Sequence, residues 1–228
     1  MQDGKIMNKL KILYEDNHII VVIKEAGILS QKDITNNEDM LTIVKSYIKE
    51  KYNKPGNVYL GLVHRLDRMV AGIMVFAKTS KAASRLSEQI KNKKFKKNYL
   101  CVVKGIPTKN EDILIDYLTK NEKTNISRVT NEKSGKLSKL KYKVINSDKN
   151  KNLSLLEIDL LTGRHHQIRV QLSSRGYPIY GDNKYDKNPI RANIKLYAYK
   201  LVFIHPTTKE KLEFINYPSG EIWDSLLI

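Results

Sequence analysis

One carboxylate, Asp67, stands between two arginines, Arg65 and Arg68, in the stretch LVHRLDRMVAGIMVFAKT, Leu62 to Thr79. Guanidinium groups on both sides would hold it ionised, fit to act as a nucleophile or base. The same charges would serve equally well as a structural ion pair bracing the loop before Gly72. A second concentration follows in TGRHHQIR, residues 162–169. Read as the start of a helix, it puts His165 and Arg169 four apart on one face, a clamp for an anion or a substrate, while Ile168 and Leu172 pack inward. Arg169 would then meet Asp67 from across a cleft. The alternative is a solvated basic face.

Arginine usage singles out these two windows. Only eight of the 41 Lys and Arg residues are Arg, and five of the eight (Arg65, Arg68, Arg164, Arg169 and Arg175) fall in residues 64–72 and 162–176, with His64, His165 and His166. A chain that otherwise uses Lys keeps Arg where a flat, permanently charged fork is needed for a carboxylate, a phosphate or a base edge. Other chemistries lack their parts. Adjacent histidines point different ways on a helix, no HExxH pattern occurs and a single cysteine builds no thiolate site, so no metal is expected. The glycines near these windows are isolated, which argues against a nucleotide cofactor, and the GxSxG elbow of a Ser-His-Asp hydrolase is absent.

Around the windows the sequence alternates short strands and helices. KILYEDNHIIVVIKEAG reads as two strands about a turn at Glu15–His18, ended by Gly27. Leu41, Val44, Tyr47 and Ile48 have amphipathic helix spacing, broken at Pro55-Gly56-Asn57. GIMVFAK reads as a strand buried on both faces, followed by a helix capped at Thr79 or Ser80 and running to about Ile90. KNKKFKK, with Lys93, Lys94, Lys96 and Lys97 around one Phe, leads into the strand NYLCVVKG, headed by Tyr99, whose pattern is that of a core aromatic. Residues 119–138 are polar and aperiodic, an exposed loop or ragged hairpin. KLKYKVI and LSLLEIDLL are strand-like. The stretch from Thr162 to Gly176 reads as a helix; a strand at about Lys195–Ile204 and a short helix after Pro218 close the chain. Without regular βαβ alternation the fold expected is α+β, with a central mixed or antiparallel sheet flanked by helices and loops.

At 228 residues the chain should form one domain or two closely joined lobes; the division expected is a short lead, 1–11, and a single catalytic domain, 12–228. Its net charge of +17 points to a polyanionic partner, with plentiful Lys, Asn and Ile leaving codon bias as a competing source. No membrane-spanning run or signal peptide is read, and the lone Cys101 suits a reducing compartment, so a cytoplasmic protein is expected.

The blocks HRLDR…AGIMVFAKTSKAASRLSEQ, FKKNYLCVVKG and LLTGRHHQIRVQLSSRGYPIYGD together resemble the RluA-type pseudouridine synthases, in order and spacing, over roughly residues 12–215. The resemblance implies an RNA-modifying isomerase that detaches the uracil of a chosen uridine, turns it and rejoins it to C1′ through C5, without cofactor or metal. It implies Asp67 as the catalytic aspartate, attacking C1′ of the ribose or C6 of the base. Tyr99 matches the tyrosine that stacks under the uracil, Arg169 the arginine that pairs with the aspartate, and Arg65 an arginine that fills the gap left by the flipped nucleotide. The substrate would be structured rRNA or tRNA, with His64, Arg68, Arg164, His166, Gln167 and the four lysines as further RNA-binding positions. Flipping costs a few kcal/mol, which stacking on arginine planes and an aromatic ring is suited to offset. The small RNA-binding domain often found ahead of this catalytic domain is expected to be missing, leaving target choice to the lysines and the 119–138 segment. The rival expectation is an RNA-binding or ribosome-assembly protein with an idle site; a monomer with no obligate protein partner is the default.

The chain departs from the pattern at Val70-Ala71, where Thr-Ser is common, at Glu25 in KEAG, where Pro is usual, and at Tyr177 and Tyr197, where His is common. Val70 and Ala71 supply no hydroxyl, so the Asp67 loop must be held otherwise.

Overall fold

A computed structural model describes residues 10–34 and 37–227; most of the expected 1–11 lead therefore lies outside the described residues. In chain order the first elements are β1 (Ile12–Glu15), β2 (Ile19–Lys24), α1 (Met40–Lys51), β3 (Gly61–Leu62), β4 (Ala71–Ala77), α2 (Ser80–Lys91) and β5 (Lys96–Lys104). There follow β6 (Glu111–Asn121), β7 (Ile126–Thr130), β8 (Lys136–Asp148), β9 (Leu153–Leu160), α3 (Gln167–Ser173), β10 (Leu196–Ile204), β11 (Lys211–Ile215) and α4 (Glu221–Asp224). The chain is α+β and divides into two compact units, residues 1–95 with 200–216, and residues 96–199 with 217–228.

In the first unit β2 pairs antiparallel with β1 on one side and β4 on the other, and β3 also pairs with β4. Every residue of β2 is buried, as are Gly72–Ala77 of β4, so both read as continuous apolar runs rather than alternating ones. Ile19, Val21, Ile23, Ile73 and Val75 form a core with Leu86 of α2 and Phe203 of β10, whose last residues pair with β11. Asp39 caps α1, its carboxylate accepting the Thr42 N–H at 3.0 Å, and Thr79 caps α2 by accepting the Ala82 N–H at 3.1 Å. α1 stops before Pro55, because Tyr52 closes it and Asn53 takes a left-handed conformation, φ 47°.

Glu15, at the end of β1, gathers four donors: Lys51 Nζ at 2.6 Å, Lys78 Nζ at 2.7 Å, and the Tyr47 and Tyr52 hydroxyls at 2.9 Å each. Burial pushes its carboxyl up, but the hydrogen bonds from Lys51, Lys78 and the tyrosines outweigh this and bring it down to about 2. The folded state therefore binds this proton less readily than the unfolded chain. Its stabilisation is complete above pH ~4.5 and is lost as the pH falls toward 2. We expect Glu15→Gln to cost about 2 kcal/mol at pH 7 and to flatten the acid limb of urea-unfolding stability against pH below 4.5. An acid limb unchanged by the substitution would contradict this.

The second unit is an antiparallel sheet in the order β5-β9-β8-β6-β7. Leu100, Val102, Leu153 and Leu155 pack on one side of it with Tyr199, Trp223 of α4 and Leu226. The 119–138 segment is hairpin rather than loop: it carries the end of β6, all of β7 and the start of β8. Its pattern was hidden because the positions it buries include Ser127 and Ser138, while isoleucine and valine face outward at Ile126 and Val129. A correction concerns α3, which begins at Gln167 and not near Thr162. His166 has φ 50°, a left-handed conformation that no helix continues through. His165 is thus not on the helix, and the expected shared face with Arg169 does not exist.

Candidate active site

In the first unit, Asp67 lies half-buried on the loop between β3 and β4, with Arg65 and Arg68 exposed on either side. The loop is held from the 24–30 segment by main-chain bonds. Ser30 Oγ donates to the Leu66 carbonyl at 2.7 Å and accepts the Leu66 N–H at 3.0 Å. The Gly27 N–H donates to the Arg68 carbonyl at 2.8 Å, and Arg68 Nε returns a bond to the Gly27 carbonyl at 3.0 Å. Gly27 has φ 92°, open to glycine and strained for other residues. Asp67 itself closes a turn, its carbonyl accepting the Val70 N–H at 3.0 Å. This scaffold holds the loop without hydroxyls at Val70-Ala71. It also gives Arg68 the bracing role, since its guanidinium reaches back to Gly27.

Lys24 is the residue that sequence reasoning missed here. It is fully buried, and its Nζ donates to three carbonyls: Glu25 at 2.9 Å, Ile28 at 2.8 Å and Arg68 at 3.0 Å. Burial pushes the ammonium down to about 7, opposed by the negative charges of Asp67 and Glu25 and aided by Arg68. The available signal was a lysine ending an otherwise unbroken apolar strand, IIVVIK. Between pH 7 and 10.5 the unfolded chain binds this proton and the folded one releases it, so Lys24 makes stability rise with pH across that window. Lys24→Met leaves three carbonyls without their donor. We expect it to cost about 2–4 kcal/mol by denaturant unfolding and to remove that slope; a slope left intact would exclude Lys24 as its source.

His64 is buried, accepts the Val75 N–H on Nε2 at 3.2 Å and packs its ring 5.5 Å from Phe95. The lysine run is divided between the units: Lys93 and Lys94 follow α2 on the first, exposed, while Lys96 and Lys97 open β5 in the second. Phe95, buried and stacked on Phe203 at 5.4 Å, anchors the run from within.

In the second unit, β5 places Tyr99 opposite Ile158, where it is 5% exposed. Lys97 is half-buried, and burial pushes its ammonium down. A side chain at Gly163 would come within 3.3 Å of Lys97 Nζ. The loop 162–164 is fastened by Gln167, whose Oε1 accepts from Thr162 Oγ1 at 2.8 Å and from the Arg164 N–H at 3.0 Å. Its Nε2 donates to the Lys139 carbonyl and to Gln171 Oε1, and Gln171 donates on to Asp116 at 2.7 Å. Arg164 is exposed, its Nε on the Leu137 carbonyl at 3.1 Å.

Arg169 is buried on α3, and its Nε and one terminal nitrogen fork onto the two oxygens of Asp182, at 2.8 and 2.7 Å. Tyr185 lies against it, the guanidinium carbon 5.1 Å from the ring centre. His166, one turn earlier, is buried beside Tyr185; burial, then the charges of Arg169 and His165, push its imidazole down to about 2, so it is neutral. The sequence reading missed Asp182, Tyr185 and Ser30, because each acts through a contact distant in sequence from what it supports. Gly181, φ 77°, marks the Asp182 turn: a Cβ there would stand 2.6 Å from the Asn193 carbonyl oxygen. Among the described residues no group of three or more His, Cys, Asp or Glu is placed to hold a metal ion.

With this geometry in hand, comparison with known proteins is specific. Residues 18–174 match the family model described as RNA pseudouridylate synthase. Ribosomal large subunit pseudouridine synthase C of Buchnera aphidicola (Acyrthosiphon pisum strain) is 33% identical over 212 residues, covering 89% of this chain and 65% of that protein. Uncharacterized RNA pseudouridine synthase YhcT of Bacillus subtilis is 34% identical over 205 residues, covering 89% of this chain and 66% of its own. The chain thus spans just under two thirds of the length of these curated relatives. Among solved structures, Human RNA Pseudouridylate Synthase Domain Containing 4 superposes with a TM-score of 0.78 over 97% of this chain and 92% of that one, at 19% identity, a likeness of fold.

Proposed function

Given that this chain belongs to the RNA pseudouridylate synthase family, we propose that it is itself an RNA pseudouridine synthase, with Asp67 as its catalytic carboxylate. The reaction is an isomerisation. The N1–C1′ bond of a uridine breaks, a C5–C1′ bond forms, the C5 proton leaves, and N1 takes up a proton. Asp67 supplies the nucleophile, at C1′ or C6. Tyr99 stacks under the base, Arg169 is the cationic partner of the carboxylate, and Arg65 enters the gap left by the flipped nucleotide. His64, Gln167 and His166, all buried, support the loops that carry Arg65 and Arg164 and the start of the helix that carries Arg169; Arg164 and the lysines at 93, 94, 96 and 97 meet phosphates. Residues 12–228 act as one catalytic domain, a cytoplasmic monomer that uses no cofactor.

The observation that carries the reading is the Asp67 loop. Bonds from Lys24, Gly27 and Ser30 hold its main chain on both sides of the carboxylate. Such fixing at a single acid suits a reacting group, whose geometry must be held closely. Large-subunit rRNA is the first substrate to try, since the relatives named for the ribosomal large subunit are 32–34% identical. The test is a transcriptome-wide pseudouridine map of cells lacking the protein. Loss of one or a few sites, restored by the wild-type gene, is the expected result and names the substrate. An unchanged map would favour the idle RNA-binding protein instead. No helix among the described residues is long and apolar enough to cross a membrane.

A further inference from the structure

We propose that Tyr185 is a positioning residue that sets the plane of the Arg169 guanidinium, and that its ring is the part that does so. Asp182 Oδ1, besides accepting from Arg169, accepts the Lys184 N–H at 3.0 Å and the Tyr185 N–H at 3.3 Å. The carboxylate that forks onto Arg169 thereby also folds the turn that carries Tyr185. From that turn the ring comes to lie under the guanidinium, its centre 5.1 Å from the guanidinium carbon. A fork fixes the guanidinium edge but leaves rotation about the line joining the two groups; an aromatic face against it removes that freedom.

Tyr185 is in turn fixed at its main chain and at its phenol oxygen. The Ser173 hydroxyl, at the end of α3, donates to the Tyr185 carbonyl. At the other end the phenol oxygen accepts the Ser127 N–H at 2.9 Å and lies 2.7 Å from His166 Nδ1. Burial beside Arg169 keeps His166 neutral, and in its Nε2–H tautomer Nδ1 accepts the phenol hydrogen. Ser127 Oγ pairs with His165 Nδ1 at 2.8 Å, which ties strand β7 to the same array. A pair needed only for stability would be satisfied by the fork; a ring held in this way adds orientation.

The inference rests on the reading that Arg169 serves the reaction, and its test separates the two. Side-chain Nε–H hydrogen exchange of Arg169, followed by NMR on the full chain, is measured beside kcat and KM on the mapped RNA for wild type, Tyr185→Phe and Tyr185→Leu. Tyr185→Leu is expected to speed exchange at least ~10-fold and to lower kcat about 10–100-fold, with KM within about twofold. Tyr185→Phe keeps the ring and should stay within about threefold of wild type in both. Should Tyr185→Leu fail to fold, Tyr185→Met, which fills the space without a ring, takes its place. Equal loss in the Phe and Leu variants would overturn the role of the ring, as would exchange that Leu leaves unmoved or a kcat that does not follow exchange. Absence of turnover in the wild type would sink the enzymatic reading alone, while the exchange series would still decide whether Tyr185 orients Arg169.

Discussion

Asp67→Asn is expected to stop pseudouridine formation, lowering single-turnover rates by about 10³-fold or more, while RNA affinity changes little. The substitution is nearly isosteric and removes a charge, and with it the group proposed to attack the substrate. The loop should keep its shape. Its bonds run through the Leu66 N–H and carbonyl, the Asp67 carbonyl and the Arg68 carbonyl, and none of these uses the carboxylate. Release of tritium from C5-labelled uridine in the mapped RNA measures the rate, because that hydrogen leaves when C5 joins C1′. Binding titrations with the same RNA measure the affinity. A variant retaining a tenth of wild-type turnover would remove Asp67 from the chemistry. One physical signature should accompany the loss: the Asp67 charge pulls the buried Lys24 ammonium upward, so the variant should shift that titration below its present value of about 7.

Asp182→Asn should lower stability by about 3 kcal/mol, with the melting temperature lowered by about 6–12 °C. Arg169 and Asp182 have side chains only 7% and 0% exposed, and the carboxylate oxygens accept from both nitrogens of the fork. The amide keeps one acceptor and turns an NH₂ toward a cation, taking the Asp182 charge away from a buried guanidinium. Much of the cost is that lost charge rather than the value of the bond, so Arg169→Met combined with Asp182→Leu should recover most of the stability. Pseudouridine formation should not recover with it, since the proposed role of Arg169 is gone. Calorimetry on the three variants, beside the tritium assay, makes the check. A double variant no more stable than Asp182→Asn would show that the turn folded by Asp182, and not the buried charge, carries the loss.

The wild-type sequence alone determined a good deal. β2 and β4 announce themselves as unbroken apolar runs, α1 by periodicity and α2 by its cap at Thr79, because these signals are local and each residue states its own environment. Scarce arginine, crowded into two windows, marked Asp67, Arg164 and Arg169, and the order of the blocks carried the family. Tertiary structure decided what holds those residues. The 119–138 hairpin buries serines and exposes aliphatics, so its alternation could not be read. His166 in a left-handed conformation shortened α3 against a pattern that fits a longer helix. Ser30, Asp182 and Tyr185 carry no mark in their neighbours, and Lys24 only its place at the end of an apolar strand, because a buried charge or hydroxyl is satisfied by partners that only folding brings within 3 Å: Arg68 lies 44 residues from Lys24, and Leu66 lies 36 from Ser30. Residue type records what a side chain can do; which carbonyl or carboxylate completes it is a property of the fold.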